Sequence, residues 1–365
     1  MLFADKIGKI LKNVLPAPFT IAVILTFLTI LIAFFISADS YNSKNFFEIL
    51  SFWEKGLWDN NLMVFALQMM LMLVLGHSLA LSKPISKIIN NITIHCNNTA
   101  NAAAIVTFTT LLVAFFNWGL GLIFGAIFAR KVGEHASKNN IPLNYPLIGA
   151  AGYSGLMIWH GGISGSAPIK IAEQGHFLAE KIGTISQAET IFSAMNVTIS
   201  MSLIVILPLF MFFLAKKTKS ELVNIIEVEK IKFDGAEKTD HSNFIAYIFG
   251  GIIITYCFYK AILLPDKMTL NFITPNFINL SLLGLCVILH KNFFQFIKSV
   301  DSAIKGASGI LIQFPLYFGI MGIMKDTGMI ELMSDLFISI SNENTFPIFT
   351  FLSAGLVNIF VPSGG

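Results

Sequence analysis

Charge is what this sequence has least of. Asp, Glu, Lys and Arg make up 12% of its 365 residues, about half the share in an ordinary soluble domain, and no carboxylate lies in an apolar run long enough to cross a bilayer. The first deficit excludes a soluble globular domain. The second argues against a site built around a buried cationic substrate or a carboxylate proton relay. Cysteine is scarce as well. Cys96, Cys257 and Cys286 stand in no CxxC or Cys/His spacing, so no disulfide framework, metal centre or other cofactor is implied. A net charge of +3 gives no reason to expect nucleic acid.

What fills the chain instead is apolar. Such residues make up 55% of it, and mean hydropathy is +0.73. Runs near 14–36, 62–81, 102–129, 145–169, 191–215, 244–264, 272–290 and 306–324 suit the roughly 20 residues that cross a hydrocarbon core, and a further run covers 346–361. The expected fold is an all-α polytopic membrane protein lying in the lipid bilayer. Lys6, Lys9 and Lys12 precede the first run as in a signal peptide. That run exceeds the roughly 7 to 15 residues of a secretory apolar region, so it reads as a retained span. Residues 1–13 carry apolar positions at helical spacing, which suits an interfacial helix, with a frayed tail as the alternative.

Lysine and arginine gather on the cytoplasmic side of a membrane protein. With the N-terminus inside and 102–129 folded as a hairpin that enters and leaves on one face, 17 of the 24 basic residues lie inside. A full crossing by 102–129 drops the number to 10. A third arrangement, with 145–169 as the hairpin, gives 14 and stays open. The hairpin has local support, because 102–129 lies within a segment that would measure about 40 Å as one straight helix and carries NWGLG (Asn117 to Gly121) at its middle.

The hydrophilic stretch 216–243 reads as a cytoplasmic linker between a first membrane half, 14–215, with hairpin 102–129 and broken helix 145–169, and a second half, 244–365. Gln68 and Gln313 precede Asn117 and Asn358 at comparable distances. The crossing count enters the first tip from inside and the second from outside. An inverted-repeat transporter with re-entrant hairpins and broken helices is the expectation, its second repeat incomplete because the chain stops at the second tip.

The stretch IWHGGISGSAPIK (Ile158 to Lys170) breaks the rules for a helix in lipid. Unpaired backbone polar groups cost several kcal/mol each in hydrocarbon, so this segment must be buried in protein or line a polar cavity. Gly161, Gly162 and Gly165 permit close approach of a ligand, and Ser164 and Ser166 offer hydroxyls. Pro168 suits the first turn of a resuming helix, whose N-terminus favours a carboxylate. Asn117 and Gly119 at the first tip, and Asn358 and Ser363 at the second, complete a neutral donor set. His160 could carry a proton or bind the carboxylate, or be a satisfied interior histidine. His77 and Gln68 suit interhelical hydrogen bonding; Trp118 and Trp159 suit wedging of helices. A small monocarboxylate with an apolar tail would fit such a pocket. The Gly-rich segment could also be only a close-packing kink.

The series FWEKGLW (52–58), FALQMMLMLVLGHSLA (65–80), FFNWGLGLIFGAIFAR (115–130), YPLIGAAGYSGLMIWHGGISGSAP (145–168) and NIFVPSGG (358–365) resembles the short-chain fatty acid transporter family over essentially the whole chain. The resemblance implies a multi-pass carrier of acetoacetate, butyrate and similar acids in the bacterial inner membrane. It also implies a place among transporters with paired hairpins and broken helices, often homodimers. Family members continue past VPSGG, so a chain ending at Gly365 is expected to be a fragment. Coupling to H+ or Na+ stays open.

Two other classes compete. GISG (162–165) fits the Gly-x-Ser-Gly pattern of intramembrane serine proteases, with His77 the plausible base for Ser164. An anion channel is the other alternative.

Overall fold

Polar residues punctuate this apolar chain, and in the computed structural model they mark where helices begin. The structure describes residues 16–36, 43–176, 179–222, 240–263, 270 and 272–360. The proposed interfacial helix 1–13, most of the linker 216–243 and Ser363 lie outside the described residues. Asn98, Asn117, Asn144, Ser193, Ser242, Thr274 and Asn292 each accept a hydrogen bond from the backbone N–H three residues on. Such caps satisfy donors that a helix start leaves free.

The helices are α1 (Pro18–Ile36), α2 (Ser43–Leu57), α3 (Asn60–Ala80), α4 (Lys83–Thr93), α5 (Thr99–Phe116), α6 (Trp118–Lys138) and α7 (Tyr145–Tyr153), which runs on as a 3-10 turn, Ser154–Ile158. There follow α8 (Ser166–Ile171), α9 (Ala179–Ile182), α10 (Ala194–Lys216), α11 (Asn243–Phe258), α12 (Pro275–His290), α13 (Phe293–Asp326), α14 (Met329–Ser339) and α15 (Phe346–Phe360). Among the described residues there is no strand, only one isolated bridge between Leu143 and Glu221. Among the described residues six helices are long and apolar enough to cross a membrane. The chain is an all-α, multi-pass membrane protein.

Four helices, α2, α4, α9 and α14, lie outside the apolar runs of the sequence, and α13 extends to 34 residues because it takes in 293–305, which reads as a loop by composition. Lys298, Asp301 and Lys305 sit on this helical extension.

The chain divides into two compact units, one from residues up to 67 together with 308–364, the other from 68–307. In the first, Ala22 and Leu25 of α1 pack with Tyr317, Ile320 and Met324 of α13, and Ala33 packs with Ile49 and Ile323. Glycines bring α2 against α13: a side chain at Gly322 would come within 2.5 Å of the Phe52 carbonyl oxygen.

The second unit is built around a hairpin. α5 and α6 are joined by Asn117 alone, in extended conformation at φ −149°, ψ 121°. A Cβ added to Gly121 would lie 2.5 Å from Ala114 Cα, and one at Gly125 2.9 Å from Thr110 Cγ2, so the arms run antiparallel and nearly touch. α7 and its 3-10 turn climb this hairpin from base to tip. At the base Asn144 N donates to Thr99 Oγ1 at 3.0 Å; higher up, Gly152 abuts Gly125 and Gly155 abuts Thr110; at the top Ile163 N donates to the Phe115 carbonyl at 2.7 Å. α10 then returns to the base, where Thr99 and Ser220 hydroxyls meet at 2.7 Å. The apolar core between these elements holds Val106, Phe124, Phe128, Ile148 and Met211. Beside the hairpin, residues 68–80 of α3 are tied to α12 by Asn279 Nδ2 donating to the Gln68 carbonyl (2.9 Å), Cys286 Sγ to Leu75 (3.2 Å) and His290 Nε2 to Ser78 (2.8 Å).

Candidate functional site

The two interruptions singled out by the sequence meet in space. A helix ending leaves carbonyls unpaired and a helix starting leaves N–H groups unpaired, and here each break answers the other. The Phe115 carbonyl, at the end of α5, accepts the Ile163 N–H. Ser164 Oγ accepts the Trp118 N–H, at the start of α6, at 2.9 Å. Gly162 is required by this approach, since a Cβ there would lie 2.5 Å from the Phe115 oxygen. The remaining polar backbone of 159–165 is settled by short turns, Gly162 N to Trp159 O at 3.2 Å and Gly165 N to Gly162 O at 2.9 Å. Asn196 Nδ2 donates to the Gly161 carbonyl at 2.8 Å.

This arrangement changes which groups are free for a ligand. Backbone N–H groups at helix starts were the expected donors. In the structure the Trp118 amide is used by Ser164 and the Leu120 amide by Asn117 Oδ1, at 2.8 Å. The helix resuming after the second break, α8, has only 6 residues, too short to build a substantial dipole. The unpartnered groups are side chains instead: Asn117 Nδ2 and Trp118 Nε1 are buried without a hydrogen-bond partner. The orientation of the Asn117 amide follows from chemistry, because the atom facing the Leu120 N–H must be the oxygen. Two donors at one tip, 1% and 8% exposed by residue, lack an acceptor.

Ser164 and Ser166 are buried, as are Gly119, Gly162 and Gly165; Gly161 is half-buried and His160 is exposed. Gly119 lets α3 approach the tip, since a Cβ there would lie 2.9 Å from Met72 O. The Trp118 and Trp159 rings meet edge to face at 5.1 Å, and Trp159 meets His160 at 4.7 Å. The indole pair therefore links the buried tip to an exposed imidazole. Asn358 lies exposed in the last turn of α15, in the other unit. Among the described residues no histidine is hydrogen-bonded to Ser164, and His77 lies against α13, where a Cβ at Gly306 would stand 3.9 Å from its Nδ1. Gln68 Nε2 donates to Asn276 Oδ1 at 3.0 Å.

Sequence reasoning missed three participants. Asn196, in the first turn of the 23-residue α10, holds the Gly161 carbonyl and so puts the break level with one end of a full-length span, not with its middle. Its only signal was a polar residue three positions after Ser193. Lys170, 8% exposed, pairs with Glu173 at 2.7 Å just beyond the break; Lys170 follows the apolar run directly. Gln187, fully buried, donates to the Ile273 carbonyl, and nothing local announced it.

A family model described as short chain fatty acid transporter matches residues 3–365. A protein of Escherichia coli (strain K12) named "Putative short-chain fatty acid transporter" is 32% identical over 362 residues, which span 96% of this chain and 78% of that protein. A protein of the same name from Haemophilus influenzae (strain ATCC 51907 / DSM 11121 / KW20 / Rd) is 33% identical over 371 residues, 96% and 79% of the two chains. No solved structure matches the chain.

Proposed function

Because the chain belongs to the short-chain fatty acid transporter family, we propose that it carries small monocarboxylates such as acetoacetate and butyrate across the bacterial inner membrane by alternating access. The N-terminus is cytoplasmic on this reading, and the carboxylate is held at the hairpin tip. One observation carries the assignment of the site: Asn117 Nδ2 and Trp118 Nε1, adjacent in the chain at the tip, are buried donors without acceptors. Leaving a buried donor unpaired costs about 1–3 kcal/mol. A carboxylate supplies the missing acceptors, and a hydrogen bond to a charged group returns about 1.5–3 kcal/mol.

Gly161, Gly162 and Gly165 shape the floor of this site, Ser164 fixes the tip against the second break, and Ser166 stands beside it. Trp159 closes the buried donors from the side of His160. Opening requires the Trp118–Trp159 contact to part, which gives alternating access a local element to act on. Asn358 and Ser363 stay in the proposal as the donors expected at the second tip of the sequence, Ser363 lying outside the described residues. The coupling ion, H+ or Na+, is decided by whether butyrate uptake follows a sodium gradient at fixed membrane potential. Family membership favours a carrier over an enzyme. Under the protease alternative a Ser164→Ala variant would lose peptide cleavage; under ours it has none to lose.

Trp118→Phe is the cleanest test. It deletes an unpartnered N–H while keeping an aromatic ring against Trp159, so the fold should tolerate it. Butyrate uptake in proteoliposomes should show KM raised roughly tenfold or more, the equivalent of one charge-assisted hydrogen bond. Asn117→Asp, which keeps the oxygen that caps α6 and replaces the donor, should lose uptake more completely. Unchanged KM in both variants would remove the site from the tip.

A further inference from the structure

The second unit has another polar feature, at the opposite kind of position. Where α3 and α12 end and α4, α11 and α13 begin, an open cavity of about 540 Å³ is lined by Lys83, His290, Lys291, Lys298, Asn243 and Gln295, among others. That volume falls within the roughly 300–1,000 Å³ typical of ligand sites. Among the described residues no Asp or Glu lines it. Among the described residues neither Lys83 nor Lys291 has a carboxylate partner within ion-pair distance. The Asp240 backbone carbonyl accepts the N–H of Phe294, the residue before the lining Gln295, at 3.0 Å. Asp301 is adjacent in sequence to the lining residue Ser302 but exposed.

Three helix starts and two helix ends meet here, so the helix dipoles largely offset one another and the positive character comes from the lysines. The walls are fixed by hydrogen bonds. His290 Nε2 is held by the Ser78 carbonyl at 2.8 Å, and Ser78 and Ser299 hydroxyls meet at 2.5 Å, which ties α3, α12 and α13 together under the cavity. Lys291 adopts the left-handed conformation, φ 70°, as the chain turns from α12 into α13. A non-glycine residue rarely takes that conformation without a local reason. Every element at this cavity terminates there, and three of them, α3, α11 with the π-helical turn Tyr259–Leu263 that continues it, and α13, are of membrane-crossing length and composition. With these helices as spans, the cavity falls at the level of lipid headgroups, on the side that the lysine distribution assigns to the cytoplasm.

We infer that this cavity binds a phosphate-bearing anion at headgroup level through Lys83 and Lys291, with Lys298, which has a partner of its own, adding to the positive lining, and with an anionic phospholipid headgroup or free phosphate as its source. Basic pockets between transmembrane helices on the cytoplasmic side take anionic headgroups in this way, and each lysine near the surface adds about fivefold in affinity. The inference is independent of the transport reading, because its test measures no transport.

The test uses the full chain in detergent micelles. Native mass spectrometry counts retained phosphatidylglycerol, with phosphatidylcholine as the neutral comparison, for the wild type, for K83Q/K291Q/K298Q and for a control with Lys87, Lys138 and Lys216 changed to Gln. The wild type and control should retain phosphatidylglycerol in preference to phosphatidylcholine, and the triple variant should bind it on the order of a hundredfold more weakly. Displacement by millimolar inorganic phosphate would identify free phosphate as a competent ligand; retention under phosphate would identify the lipid. Equal retention by wild type and triple variant, or equal loss in the control, would overturn the inference. Should the triple variant not fold, K291Q alone, an exposed residue, should show the single fivefold step, and no change there would count against the site equally.

Discussion

Asn117 and Asn358 occupy matching places in the sequence, each behind an apolar helix that follows a glutamine by a comparable interval, yet among the described residues only Asn117 is enclosed. Asn117 is 1% exposed; its backbone reverses the chain, its oxygen caps α6, and the neighbouring Trp118 amide is bound by a serine from a second break. Asn358 is exposed on α15, and among the described residues no side-chain hydrogen bond holds it. The lesson is that an amide at the end of an apolar helix is only half of a polar site in a membrane. The other half is a second interruption that takes up the backbone groups the first one frees, and in the 68–307 unit residues 161–165 provide it.

The largest expected effect tests the close packing that this reciprocity needs. A Cβ at Gly125 would stand 2.0 Å from the Gly152 carbonyl oxygen, whereas nothing lies within 4 Å of one at Gly355 in α15. Gly125→Ala forces backbone apart and should cost about 3 kcal/mol, the upper part of the usual range for overpacking. Gly355→Ala should stabilise its helix by roughly 0.5–1 kcal/mol. Thermal unfolding of the two variants in the same detergent should therefore shift Tm in opposite directions. A similar shift in both would mean that the hairpin is as loosely packed as α15.

Next in size is the serine that joins the breaks. Ser164→Ala leaves the buried Trp118 N–H without an acceptor and should cost about 1–3 kcal/mol. Ser353, on α15, donates to the Thr350 carbonyl three residues back at 3.0 Å, and its replacement by Ala should stay within about 0.5 kcal/mol. Comparable losses at the two positions would show that the Trp118–Ser164 bond is not special to the paired breaks.

Much of this is legible in the sequence. Apolar runs gave the helices, Asn117 and its flanking glycines gave the hairpin, and the Gly/Ser cluster gave the second break, because lipid tolerates polar backbone only under narrow conditions. Which donors remained free was not legible. Composition shows that Ser164 and the Trp118 amide need partners, not that they choose each other. Depth was hidden for the same reason, since it rests on one tertiary bond from Asn196 to Gly161. The helical start of α13 was missed because charges on an exposed helical turn look, in sequence, like charges in a loop. The cavity at Lys83, Lys291 and Lys298 draws on residues scattered over more than two hundred positions, and no local pattern announces it.

The smallest expected effect compares ion pairs in the two units. Glu134, near the base of the hairpin, has a side chain 10% exposed and meets Arg130 at 3.0 Å and Lys131 at 2.7 Å. Burial pushes its carboxyl up, and the hydrogen bonds and charges of Lys131 and Arg130 more than reverse this, so it titrates below the ordinary glutamate range. A depressed carboxyl contributes stability that is present above its unfolded value and is lost as pH falls through the folded one. With both cations more than a third exposed, solvent screening limits the contribution to about 1 kcal/mol or less. The Tm gap between wild type and Glu134→Gln should accordingly be small and constant from pH 7 to about 5, and close below about pH 4. In the other unit Lys55 meets Asp326 at 2.9 Å, but the lysine side chain is 77% exposed, and Asp326→Asn should leave Tm unchanged across the same range. An acid-dependent gap at Asp326, or none at Glu134, would show that the hairpin base is no better shielded from solvent than the α2–α13 surface.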